Sequence, residues 1–330
     1  MAPAGDCTAP YNEAVNAQLN DANLADAGNP TLLEAANESG LPGLAVNLNA
    51  DLHCHSTVSD GTLSPATLAA RAAANGVELW ALTDHDEISG LAEARDAASS
   101  HGVAWLAGTE VSVSFAGETV HIVGLGFDID HPDLIAGLAH TRSGRERRAR
   151  DMAQDLEDKV GIKGAFDGAL KYVGNPDLIS RTHFARYLVE VGACNDTNEV
   201  FRRFLTTGKP GFVPHRWAGL GETVKWIRAA GGMAVIAHPG RYKFGTNAEY
   251  ALFSEFKQHG GAGVEVVTGS HTQADYVKYA AMAIEFGLCA SRGSDFHSPG
   301  ESRIDLGRLS DLPRGLTPVW QALSSRIVAA

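Results

Sequence analysis

The chain has 330 residues, enough for one large α/β domain with an insertion or for two ordinary domains. Hydrophobic residues make up 44% and charged residues 20%, a globular composition, and no run of about 18 apolar residues offers a membrane span. The formal net charge of −12 argues against broad attraction to nucleic acid or anionic membranes, but leaves an anionic substrate open because bound divalent metals invert a local field.

Residues 1–47 are rich in Ala, Asn, Asp and Gly. They read as an N-terminal extension with helical stretches at Tyr11–Asp26 and Thr31–Glu38. No charged segment followed by an apolar core marks a secretory signal. The four cysteines, Cys7, Cys54, Cys194 and Cys289, form no CxxC pair and no disulfide framework. A cytoplasmic protein is expected.

From Asn47 strands alternate with helices. Apolar runs predict strands at 48–53, 77–83, 103–111, 120–127, 234–238, 263–267 and 288–291. Helical patterns fall at 65–75, 89–100, 222–230, 250–259 and 273–286. Ser64 before Pro65 is a helix start, and Gly76 a stop. This alternation predicts an α/β fold with a mainly parallel sheet or barrel. Between about 131 and 221 the rhythm changes to successive helices at 132–160, 166–172, 181–191 and 196–205. That stretch reads as a helical insertion in a domain spanning 48–330.

Ionisable residues gather at the carboxyl ends of the strands, where α/β folds place their sites. Asp51, His53 and His55 alternate along the first strand and share a face. Imidazoles and carboxylates suit Zn²⁺, Mn²⁺ or Fe²⁺, though an HxH pair alone is read equally well as a polar loop. Asp60 follows, with Gly61 to permit a tight turn. Asp84, His85 and Asp86 end the second strand; Asp86 is also a candidate cap for the next helix. Glu110 ends the third strand and is placed to bridge two cations. His121 lies inside an apolar strand, where a lone histidine is more often core than ligand. His238 ends the run Met233–Ala237. Asp295 and His297 repeat the first motif's spacing. Cys54, one residue out of phase with its neighbours, reads as packing. Convergence of five strand ends is what distinguishes a site from scattered polar residues.

The motifs Asp51–Ser56, Thr83–Asp86, Gly108–Glu110, Val120–His121, Ala237–Pro239 and Ser294–His297 resemble, in order and spacing, those of the PHP (polymerase and histidinol phosphatase) superfamily. The resemblance implies a distorted (β/α)₇ barrel with a cluster of two or three divalent ions, Mn²⁺ favoured over Fe²⁺ or Zn²⁺. Carried over motif by motif, the metal ligands are His53, His55, Asp60, His85, Glu110, His121, His238, Asp295 and His297. Glu110 is the expected bridge. Asp51 and Asp84 are expected to orient ligand imidazoles, and these two with Glu110 and Asp295 form the catalytic group.

Within the insertion and after it, Ile179–Arg186, Gly208–Trp217 and Ala237–Tyr242 resemble a bacterial subgroup containing 3′,5′-nucleoside bisphosphate phosphatase and a 5′→3′ exoribonuclease. The resemblance implies removal of the 3′-phosphate from nucleoside 3′,5′-bisphosphates by direct attack of metal-bound hydroxide. The alternatives are exoribonuclease action on short 5′-phosphorylated RNA, a histidinol-phosphatase-like activity, an amidohydrolase, and a non-catalytic metal-binding module. Candidate phosphate contacts are Arg181, His183, Lys209, His215, Arg216 and Arg241. Arg142, Arg145, Arg147, Arg148 and Arg150 interleave with acidic residues and read as a solvated helix face, with an RNA path as the alternative. The expected partner is a small phosphorylated nucleotide or short RNA, with no membrane and no obligate protein partner.

Overall fold

The computed structural model describes residues 47–330; the two expected helices at 11–26 and 31–38 lie outside the described residues. Three short parallel strands open the fold: β1 (Ala50–Asp51), β2 (Leu79–Trp80) and β3 (Ala104–Trp105). A six-stranded sheet follows in the order β6-β4-β5-β7-β8-β9, built from β4 (Gly108–Phe115), β5 (Glu118–Leu125), β6 (Ala218–Gly219), β7 (Met233–Ile236), β8 (Gly263–Thr268) and β9 (Cys289–Gly293). Backbone hydrogen bonds cross between the sheets at both ends. Leu52 donates to Arg292 O, His55 to Phe296 O, and Glu110 to Asp84 O. The fold is a distorted α/β barrel in which two sheets lean together.

The helices between strands are α1 (Pro65–Ala74), α2 (Leu91–Ser100), α8 (Leu220–Ala229), α9 (Thr246–Gln258) and α10 (Gln273–Glu285), with α11 (Val319–Ala322) near the C-terminus. Ser64 caps α1 by accepting from Thr67 N, with Pro65 in the first turn. Their apolar faces and the strands enclose one core around Trp80, Phe253, Phe256 and Trp320, all essentially unexposed.

Two expectations are corrected. The strand expected over 103–111 is two strands: β3 pairs parallel with β2, then β4 turns into an antiparallel hairpin with β5. A Cβ at Gly108 would sit 2.6 Å from Leu82 O, so only glycine lets the chain pass there and change partners. The helix expected over 132–160 breaks into α3 (Pro132–Arg142) and α4 (Arg145–Val160) at Ser143–Gly144, where a Cβ on Gly144 would lie 2.4 Å from His215 Cε1.

The α3 residues Leu134 and Leu138 join the barrel core. By contrast, α4, α5 (Ala165–Leu170), α6 (Arg181–Glu190) and α7 (Thr197–Val200) surround a separate core of Met152, Leu156, Phe184, Leu188 and Leu205. A π turn at Phe201–Leu205 continues α7 where one long helix is expected.

The seam between β1 and β9 depends on Gly293, where a Cβ would lie 2.3 Å from His53 Cβ and 2.7 Å from His53 N. Gly293→Ala is predicted to force the strands apart and cost about 1–3 kcal/mol. Urea unfolding checks this, and an unchanged midpoint would contradict it.

Candidate metal centre and adjoining anion pocket

The strand ends deliver one compact cluster. Glu110, fully buried, is its centre. Its Oε1 lies 2.9 Å from His121 Nδ1, 2.9 Å from His238 Nε2 and 3.4 Å from His53 Nε2. Its Oε2 lies 2.8 Å from His85 Nδ1 and 3.4 Å from His55 Nε2. Asp295 Oδ1 is 3.3 Å from His55 Nε2 and 3.6 Å from His53 Nε2. Asp60 Oδ1 is 3.4 Å from His297 Nε2 and 3.7 Å from His85 Nε2. All nine sequence-derived ligand candidates meet here.

Six buried polar atoms in this cluster make no hydrogen bond of good geometry: His55 Nδ1, Asp60 Oδ1 and His238 Nδ1, and also His85 Nδ1, Glu110 Oε2 and His121 Nδ1, which face one another across the Glu110 carboxylate at 2.8 and 2.9 Å. Buried polar atoms are ordinarily satisfied, so this concentration needs an account. A divalent ion supplies one, because it takes lone pairs that have no N–H or O–H to accept. The donors are N and O, the set that suits Mn²⁺, Fe²⁺ or Zn²⁺. They form four overlapping groups: His55-Asp60-His85-His297, His53-Glu110-His238, His53-His55-Asp295 and His85-Glu110-His121.

Backbone strain marks the same place. Asp86, His238 and Asp295 have positive φ, at 51°, 27° and 55°, a region that non-glycine residues rarely adopt. Each is held there by its own N–H. Asp86 donates to Glu110 O at 2.8 Å, His238 to Glu265 Oε2 at 2.6 Å, and Asp295 to His53 O at 2.8 Å. Such strain costs on the order of 1–3 kcal/mol per residue and persists where surrounding structure enforces it.

Glu265 escaped the sequence reading. Its Oε1 binds His53 Nδ1 at 2.7 Å, while Oε2 holds the His238 backbone. The signal was a lone carboxylate inside the buried valine-rich strand β8. It does the imidazole orienting expected of Asp51 and Asp84. Those two are corrected: neither hydrogen-bonds a ligand histidine. Asp51 accepts from Ser294 N and Gly307 N, each at 2.8 Å. Asp84 accepts from Ser56 N, Ser56 Oγ and Ser59 Oγ, fixing the loop after β1. Burial raises the pKa of both. Asp86 does not cap α2. Its carboxylate accepts from Ser112 N at 2.7 Å and pairs with Arg145. Cys54 points away, its Sγ 3.2 Å from Trp80 Nε1.

A pocket opens on the cluster. Its floor includes Asp60, His85, Glu110, His121, Asp295 and His297, and its wall includes Arg145, Arg148, Arg181 and Arg241. Arg145 and Arg148 stack over the Trp217 ring at 4.7 and 5.4 Å. The basic run on α4 is therefore not wholly a solvated face; two of its members are buried against the site. Arg241 bonds Asp295 Oδ2 at 2.5 Å.

The other substrate candidates lie outside the lining of this pocket. His183 is buried, accepts from Ser180 N at 3.0 Å and meets Ser59 O at 3.2 Å, so it braces a loop. Lys209 is exposed in the turn after α7, away from this pocket. His215 and Arg216 line an adjoining depression with Phe212 and Pro214, which shares Thr119, Arg148 and Arg181 with the central pocket.

Titration of the metal-free cluster follows from its crowding. Burial lowers His55 to about 3, and the neighbouring His297 and His85 add to it. Burial also pulls on His85, but the Glu110 and Asp60 carboxylates outweigh it and raise His85 to about 9. Ligation requires a neutral imidazole. The proton that Glu110 and Asp60 hold on His85 therefore competes with an incoming ion. Mn²⁺ uptake by the metal-free chain is predicted to release protons, with apparent affinity rising as pH approaches about 9. Calorimetry in two buffers of different ionisation enthalpy measures this, and uptake without proton release would contradict it.

Comparison with known proteins places this geometry. The family model described as "PHP domain" matches residues 51–195. A Chromobacterium violaceum protein named 3′,5′-nucleoside bisphosphate phosphatase is 53% identical over 85% of this chain and 98% of its own length. A Haemophilus influenzae protein named 5′-3′ exoribonuclease is 43% identical over 82% of this chain and 97% of its own. A solved Chromobacterium violaceum structure, described as an amidohydrolase with bound sulfate and no metal, superposes with a TM-score of 0.83 at 53% identity, covering 85% of this chain and 98% of that one. With similarity of this extent to curated relatives, the chain belongs to the PHP domain family.

Proposed function

We propose that this chain is a metal-dependent phosphohydrolase that removes the 3′-phosphate from nucleoside 3′,5′-bisphosphates. The observation that carries the reading is the pairing of a metal-ligand floor with an arginine wall in one pocket. Arg148 donates its Nε to Val213 O and Arg181 reaches only Leu205 O, so neither has a carboxylate in ion-pair contact among the described residues. Burial lowers Arg148 to about 9 and Arg181 to about 10, with neighbouring guanidiniums contributing. Desolvated, mutually repelling cations of this kind are relieved by a polyanion, and the planar fork suits phosphate oxygens. An amide substrate would leave that repulsion in place. The name of the Chromobacterium relative at 53% identity supports the same substrate class.

Divalent ions, when bound, supply Lewis acidity and a water deprotonated near neutral pH. The chain's own residues do the rest. Glu265 fixes His53, Arg241 holds Asp295, and Asp86 presets Arg145 against Trp217. We assign the scissile phosphate to the floor and the second phosphate to Arg148 and Arg181. Mn²⁺ is the ion we favour. We place the protein in the cytoplasm, in keeping with three unpaired cysteines among the described residues. No helix there is long and apolar enough to cross a membrane.

One observation favours the exoribonuclease reading: the pocket continues past Arg148 and Arg181 into the depression lined by Phe212, His215 and Arg216. A longer 5′-phosphorylated chain would have room and aromatic surface there. The net charge of −12 favours the small substrate.

The test compares adenosine 3′,5′-bisphosphate with a 5′-phosphorylated oligoribonucleotide on Mn²⁺-loaded protein. Release of the 3′-phosphate alone is expected, abolished in Asp295→Ala. Arg148→Ala and Arg181→Ala should each raise KM about tenfold or more, as loss of a charge-assisted contact of about 1.5–3 kcal/mol implies. Comparable release of mononucleotides from the oligomer would transfer the assignment to exoribonuclease, and turnover of neither would end both readings.

A further inference from the structure

The candidate ligands are not all held by the same part of the protein. His53, His55, His85, Glu110, His121, His238, Asp295 and His297 sit on or within a few residues of barrel strands. Asp60 does not. It lies on the loop from Ser56 to Gly61, between β1 and α1.

That loop has two sets of fastenings. On the barrel side, Asp84 fixes Ser56 and Ser59. At Asp60 itself the partners come from the insertion. Arg186 Nη2 donates to Asp60 O at 2.7 Å, and Ser180 Oγ donates to Asp60 Oδ2 at 3.3 Å. His183 meets the preceding carbonyl, Ser59 O, at 3.2 Å. Nearby, the insertion's backbone closes on the loop at Gly174, where a Cβ would stand 2.3 Å from Thr57 O.

Arg186 also reaches the other side of the cluster. Its Nε and Nη2 bind Glu301 at 2.9 and 2.7 Å. Glu301 accepts from Ser298, and Ser302 accepts from His297 N at 2.8 Å. One guanidinium, 8% exposed, thus joins the Asp60 loop to the loop carrying His297. Asp60 and His297 belong to one of the four ligand groups, with His55 and His85; the other three groups contain only residues carried by the barrel.

We infer that Arg186 is a positioning residue through which the docked insertion completes one metal position, the one that includes Asp60, while the remaining positions form from the barrel alone. Helix α6 carries Arg181 into the anion pocket and Arg186 under the Asp60 loop. The same helix thus supplies one arginine of the anion wall and one fastening of the Asp60 loop. This inference rests on reading the cluster as a metal centre, and not on which phosphoester is the substrate.

Equilibrium dialysis against graded Mn²⁺, with bound ion counted by mass spectrometry, tests it on three full-length proteins: wild type, Arg186→Gln and Arg71→Gln. The last breaks a more exposed arginine–carboxylate pair, Arg71–Asp305, which touches the cluster's surroundings through Phe296 but not the insertion. Wild type and Arg71→Gln should bind the same number of ions. Arg186→Gln should lose one equivalent, or hold it at least tenfold more weakly, and keep the others unchanged. If Arg186→Gln does not fold, Arg186→Lys, which keeps the charge but loses the fork that joins Asp60 O to Glu301, should weaken the same single equivalent. Unchanged number and affinity would overturn the inference. So would loss of every equivalent together, or an equal loss in Arg71→Gln. A wild-type chain that takes up no Mn²⁺ would overturn the metal reading itself, and this inference with it.

Discussion

Five imidazoles converge on the single buried carboxylate of Glu110. Nothing in a protein core stabilises that arrangement unaided. Burial penalises every charge, and imidazoles crowded on one carboxylate either leave lone pairs unsatisfied or hold protons against one another. The strand ends nevertheless hold the groups there, at the cost of three residues with left-handed backbone. A site assembled against such local cost is one whose ligands must be in place before the ion arrives. The remainder of the structure can be understood as support for that placement. Glu265 fixes one ring and one strained backbone, Asp51 ties β9's exit to β1, and Asp84 sets the loop that leads to Asp60.

The insertion, together with Arg241 from the barrel, adds the opposite charge. A chain with net charge −12 gathers Arg145, Arg148, Arg181 and Arg241 around one opening. Arg145 and Arg241 are each held by a carboxylate, Asp86 and Asp295. Arg148 and Arg181 are left to an incoming anion. Local field, not net charge, decides what such a pocket admits. Arg142 at the end of α3 and Arg145 at the start of α4 both reach Asp86, one at its backbone oxygen and one at its carboxylate.

Much of this was legible in the sequence because the chemistry sits at strand ends. An apolar run that stops at His53, His85, Glu110 or His238 announces both the strand and the ligand. The insertion also showed itself, as a loss of strand–helix alternation. What stayed hidden depends on tertiary partners. Glu265 lies within a strand, not at its end, so periodicity alone made it one more strand residue. Arg145 and Arg148 look like any charged helix face until Asp86 and Trp217 are brought beneath them. His183 and Asp84 lie in motifs that adjoin ligands, but their side chains brace the loop behind. The antiparallel turn of β4 into β5 is made locally, by the left-handed pair Ala116–Gly117 between Phe115 and Glu118; the change of partners just before it depends on Gly108 passing close to Leu82, a contact remote in sequence.

The claim on which all else depends is that the Glu110 cluster is a metal centre. Diffraction from crystals grown with Mn²⁺, recorded at the manganese absorption edge, tests it most directly. Anomalous peaks are predicted between Glu110 and its surrounding imidazoles, with at least two ions in the cluster and none at the Arg148–Arg181 wall. Full occupancy of the protein by substrate or phosphate with no anomalous density at Glu110 would contradict it.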